Sequence, residues 1–137
     1  MDDHMREDDG LDVRRRVLGA EYVDRALAKA GSFGRPMQEL VTQYCWGTVW
    51  TRPGLALRDR SLINVAMLVA LNREEELALH LRGALNNGCT REELQEVLLQ
   101  AAVYCGVPAG VAAFRLAETI IEESAEDGRG TGDGGRS

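Results

Sequence analysis

Between residues 11 and about 123, apolar side chains recur at helical spacing, which predicts helices and no strands. Residues 11–18 and 20–30 read as two short helices ended by Gly19 and Gly31. After Pro36, a residue suited to a first helical turn, Met37, Leu40, Val41, Tyr44 and Cys45 fall on one face. That helix should fail before Pro53-Gly54. The run RSLINVAMLVAL, 60–71, is apolar nearly all round, as in a central buried helix. Asn72 with Glu75 three residues on looks like a helix start, and that helix runs to Asn87, where Asn86-Asn87-Gly88 reads as a C-cap.

A second start signal, Thr90-Arg-Glu-Glu93, opens a helix with Leu94, Val97, Leu98, Ala101 and Cys105 on one face. Gly106-Val-Pro108 breaks it, and a last helix runs to about Glu123. The short connections imply antiparallel neighbours. The expected architecture is all-α.

Composition narrows this picture. The 137 residues suffice for one domain with its own core, and 45% are hydrophobic but only 5% aromatic, so the core is aliphatic. No apolar run reaches the ~18–20 residues of a membrane span. The acidic opening, MDDHMREDDG, is unlike a signal or transit peptide. Residues 1–10 read as a mobile acidic tail, 11–123 as a single helical domain, and 124–137 as a disordered Gly-rich tail. The net charge of −6 lies mostly in the tails. The near-neutral body has no long-range field to attract nucleic acid.

Candidate chemistry is limited by what is missing. The chain has no P-loop, no dinucleotide fingerprint and no nucleophile elbow. The body holds a single histidine, His80, too few imidazoles for an ordinary metal site. The odd cysteine count (Cys45, Cys89 and Cys105) suits a reducing cytoplasm better than a disulfide framework, and each reads as a small core residue.

Two features remain. Glu76 precedes His80 by one helical turn, the spacing at which a carboxylate orients an imidazole for acid–base work. The same pair fits an ordinary solvated helix start. The second is the loop from Trp46 to Arg60, WGTVWTRPGLALRDR. Aromatic walls with Arg52, Arg58 and Arg60 suit a small organic anion, because guanidinium binds carboxylate bidentately. Equally, the tryptophans could cap the core while the arginines pair with acids.

The motifs W-T-R-P-G-L, R-S-L-I, H-L-R, N-N-G, T-R-E-E and Y-C-G-x-P, spread from about Val13 to Glu123, make the chain resemble the 4-carboxymuconolactone decarboxylases of the carboxymuconolactone decarboxylase superfamily. The alkylhydroperoxidase branch of that superfamily carries C-x-x-C before its histidine. Here those positions are Arg73 and Glu76, so dithiol peroxidase chemistry is closed.

The resemblance implies an alkylhydroperoxidase-like helical fold, a cytoplasmic homohexamer and cofactor-free decarboxylation of γ-carboxymuconolactone, a dicarboxylate lactone, in protocatechuate breakdown. It implies that His80 is proton donor or oxyanion partner, with Glu76 orienting it. It also implies that Arg60 and Arg52 contact carboxylate or lactone oxygens and that Trp46 walls the pocket. No metal, nucleic acid or membrane is expected. The alternatives are a superfamily enzyme acting on another small lactone or acid, a non-catalytic helical oligomer, and a redox protein.

Overall fold

The computed structural model describes residues 3–130, and side-chain surroundings from Arg6 to Asp127. Every regular element among them is helical: α1 (Asp3–Leu18), α2 (Ala20–Lys29), α3 (Gly31–Leu40), a π-helix (Val41–Trp50), α4 (Leu57–Ala70), α5 (Glu74–Asn86), α6 (Arg91–Cys105) and α7 (Val107–Gly130). None is long and apolar enough to cross a membrane. The chain forms two compact units, one up to Arg60 and one from Ser61, with α4 beginning in the first and continuing into the second.

In the first unit, α1 packs on the π-helix. Within the expected mobile tail 1–10, the chain is helical from Asp3 and Gly10 is buried, and residues 1–2 lie outside the described residues. The acidic composition concealed a backbone-to-backbone packing surface. Pro36 is not in a first turn but inside α3. There it forfeits the bond to the Ser32 carbonyl, which lies on an exposed stretch that water can reach.

The expected loop 46–60 shrinks to 51–56, since Trp46 and Trp50 belong to the π-helix and α4 starts at Leu57. Arg14 is buried, donating from Nη1 to Thr42 Oγ1 (3.1 Å) and from Nη2 to Gln38 Oε1 (2.9 Å).

The second unit follows the expected pattern more closely. Its core joins Val65 and Val69 of α4, Leu77, Leu81 and Ala84 of α5, Leu94, Leu98 and Ala101 of α6, and Ala113, Ala117 and Ile120 of α7. Fully burying each of the larger aliphatic side chains stabilises the fold by about 1.5–3 kcal/mol before entropy is counted. The Thr90–Glu93 capping box forms in both directions, at 3.1 and 3.0 Å. Gly88 and Gly106 take φ of +87° and +121°, ending α5 and α6 where side chains with a Cβ would be strained.

Four expectations change. Asn72 does not cap α5; it adopts φ +58°, which asparagine tolerates better than most residues, to reverse the chain, and α5 begins two residues later. Helix α4 is buried along one face only, leaving Ile63 and Met67 exposed on the chain, with Leu71 exposed just beyond its end. Cys89 is in the core, but Cys45 and Cys105 are exposed because their positions fall outside the buried arcs of their helices. Helix α7 runs past Glu123, so the expected disordered tail is helical over 124–130, and 131–137 lie outside the described residues.

Candidate active site

His80 sits in the middle of α5, between the buried Leu77 and Leu81 and one turn after Glu76. Helical spacing places Glu76, which is exposed, near the ring. Two opposing influences act on the imidazole. Burial, the larger, pushes its pKa below the ordinary 6.5, and the Glu76 charge pulls it back up. The ring is therefore predominantly uncharged at neutral pH.

One polar contact to the ring comes from α4. The Asn64 side-chain nitrogen lies 3.5 Å from His80 Nδ1, at the long end of hydrogen-bond range. The registry of α4 and α5 around this pair is fixed at both ends. Asn87 Nδ2 donates to the fully buried Ser61 Oγ at 2.8 Å. At the other end, the Arg73 amide donates to the Leu68 carbonyl across the tight turn at Asn72. Sequence reading missed Asn64, although a signal was present. It is the only polar residue between Leu62 and Leu71, and an amide in an aliphatic run needs a partner.

The other candidates belong to the first unit. Arg60, in the first turn of α4, donates from Nη2 to the Arg52 carbonyl at 3.2 Å, and its buried Nε has no protein partner among the described residues. The structure thus joins Arg60 to Arg52 through the Arg52 backbone. The Arg52 side chain is exposed and lines an open cleft of about 580 Å³ with Asp9, Asp12 and Trp50. Trp50 rather than Trp46 faces this cleft. Trp46 is buried and stacks on Trp50, with ring centroids 4.5 Å apart and planes 25° from parallel. Arg58 pairs with Asp59 at 3.5 Å.

Among the described residues no three histidine, cysteine or carboxylate side chains gather as metal ligands would. The chemistry these groups offer is hydrogen-bond donation from an uncharged imidazole and anion binding by guanidinium.

Comparison with known proteins adds to this geometry. Residues 35–119 match the family described as the carboxymuconolactone decarboxylase family. Over 123 residues the chain is 43% identical to a 4-carboxymuconolactone decarboxylase of Acinetobacter baylyi, covering 90% of this chain and 92% of that protein. Over 121 residues it is 46% identical to a nitrosuccinic acid decarboxylase of Metarhizium robertsii, covering 88% and 85%. A 4-carboxymuconolactone decarboxylase sequence from Pseudomonas putida matches at 45% identity over 47 residues, covering 34% of this chain and 98% of that sequence.

Proposed function

Since the chain belongs to the carboxymuconolactone decarboxylase family, we propose that it decarboxylates γ-carboxymuconolactone to the β-ketoadipate enol-lactone and CO2, in protocatechuate breakdown, without a cofactor. The observation that carries this reading is the 43% identity over 90% of the chain to a bacterial enzyme of that name.

The substrate supplies its own electron sink. The leaving carboxylate is attached to a carbon joined through C=C to the lactone carbonyl. As the C–C bond breaks, its electron pair moves through that C=C into the carbonyl and forms a dienolate. One proton then adds to the carbon beside the carbonyl. The protein has to stabilise the developing oxyanion and hold the second carboxylate in place.

We assign the first task to His80. A neutral imidazole is too weak an acid to give its only proton to carbon, but it can donate a hydrogen bond to the lactone oxygen. Oxyanion partner is therefore the better of its two expected roles, and the carbon proton comes from solvent. Glu76 tunes and orients the ring. Arg60 and Arg52 bind substrate oxygens, and Trp46 supports the pocket wall by stacking behind Trp50.

A second reading is favoured by the 46% identity to the fungal nitrosuccinic acid decarboxylase. Nitrosuccinate places a leaving carboxylate, a –CH2–COO⁻ arm and an electron-accepting group around one carbon, as γ-carboxymuconolactone does. Its sink is the nitro group, whose oxygens would take the same imidazole hydrogen bond. Purified protein should be assayed for CO2 release from both compounds. A larger kcat/KM for nitrosuccinate would replace the first reading by the second, and no CO2 from either would sink both.

The proposed assembly is a cytoplasmic homohexamer. It is supported by apolar side chains left exposed on the single chain, among them Phe33 at 99% and Val103 and Tyr104 at 79% each. Surfaces of this kind mark contact sites between proteins.

A further inference from the structure

We propose that Asn64 is a positioning residue: its side-chain amide donates to Nδ1 of His80, holding the imidazole as the Nε2–H tautomer and presenting an N–H donor to the reacting oxygen. This rests on the reading of His80 as oxyanion partner. It concerns a residue that neither the motifs nor the acid–base pattern singled out.

An asparagine at this position is costly. Asn64 lies between Ile63 and Val65 in an otherwise aliphatic stretch, and asparagine is a poorer helix former than leucine or alanine. A half-buried amide there is unfavourable unless it bonds. Its nitrogen is 3.5 Å from Nδ1 of the one imidazole in the second unit.

Donor and acceptor chemistry then decides the tautomer. An amide nitrogen only donates, so the Nδ1 it faces must carry a lone pair, and in a neutral ring the proton sits on Nε2. Protonating Nδ1 would set two N–H groups against each other. The contact therefore opposes the imidazolium as well as the other tautomer, in the same direction as burial.

Geometry holds the pair in register. The Asn87–Ser61 bond ties α5 to α4 one turn from Asn64, and the turn at Asn72 closes the other end of the helix pair. The consequence for catalysis concerns sign. With the proton on Nε2, that nitrogen can donate to an oxygen gaining charge during decarboxylation. With the proton on Nδ1, Nε2 would turn a lone pair towards that oxygen and repel it.

The test is nitrogen NMR of the imidazole in the full chain, uniformly ¹⁵N-labelled and carrying His4→Gln so that one histidine is observed. At neutral pH the two-bond correlations should show a protonated Nε2 and an unprotonated Nδ1. In Asn64→Asp the carboxylate accepts from Nδ1, so the pattern should invert, and kcat should fall about 10-fold or more while KM changes less than 3-fold. Asn64→Leu, which removes the donor at similar volume, should give a mixed pattern and an intermediate kcat. Wild-type protein with its proton on Nδ1 would overturn the proposal outright, whether or not the variants fold. So would a pattern unchanged by Asn64→Asp. An Nε2–H pattern that inverts in Asn64→Asp, in a protein that releases no CO2 from either substrate, would leave the positioning role standing while the functional reading fell.

Discussion

Gly10 and Gly47 meet where α1 crosses the π-helix, so closely that a methyl group on Gly10 would fall 2.7 Å from the Gly47 nitrogen and collide with the Thr42 carbonyl oxygen. The crowding is mutual, since a methyl on Gly47 would collide with the Arg6 carbonyl oxygen. These neighbours are backbone atoms, which cannot swing aside as a side chain can. Gly10→Ala should therefore lower stability by about 3 kcal/mol, the upper part of the range for overpacking. Gly54→Ala is the control, because nothing lies within 4 Å of the added methyl. Urea denaturation that left Gly10→Ala as stable as wild type would show that α1 does not pack there in solution.

His80→Gln should reduce kcat on the true substrate by roughly 10²-fold or more, the scale of losing one oxyanion donor or one general acid. Its far-UV circular dichroism should match wild type, since the residue is only partly buried. Glu76→Gln should cost less, because it removes a charge acting on the ring and leaves the imidazole. Near wild-type turnover by His80→Gln would make the imidazole structural.

The pH profile separates the two roles of His80. An imidazolium general acid would lose activity tenfold per pH unit above its pKa, which burial has lowered. A neutral N–H donor predicts a flat kcat between pH 7 and 9.

Stability carries a matching sign. The unfolded ring, with the higher pKa, binds more protons than the folded one, so this contribution is complete above about pH 6.5 and is lost as pH falls towards the folded pKa. Thermal melts of wild type should lose more stability than those of His80→Gln on going from pH 7 to pH 5.

Arg60→Ala should raise KM as well as lower kcat, because a guanidinium that binds a substrate anion acts in ground and transition states alike. Arg60→Lys should recover little, since an ammonium cannot span both the Arg52 carbonyl and a substrate oxygen. A KM unchanged in Arg60→Ala would assign the residue to holding the 51–56 segment alone.

Light scattering at micromolar concentration should find a mass near six chains of 15.0 kDa. A stable 15 kDa monomer would mean that the exposed faces around Phe33, Met67 and Tyr104 serve something other than self-association.

What sequence alone determined is largely local chemistry. A 3.6-residue period, the Thr90–Glu93 reciprocal cap and the glycines at 88 and 106 act within a few residues, so they announce helices and their ends before any packing is known. The single body histidine, the missing C-x-x-C and the decarboxylase-like motifs were legible for the same reason, since each is a matter of which residue occupies which position. Tertiary structure decided whatever depends on residues distant in the chain. The acidic first residues give no sign that Gly10 admits a backbone 37 residues away. The apolar run of α4 does not say which of its faces the chain covers and which it leaves exposed. Asn64 reads as an exception in a helix until folding brings α5 alongside and sets His80 next to it. A lone amide states only that it needs a hydrogen-bond partner, and the packing of two helices chose the imidazole.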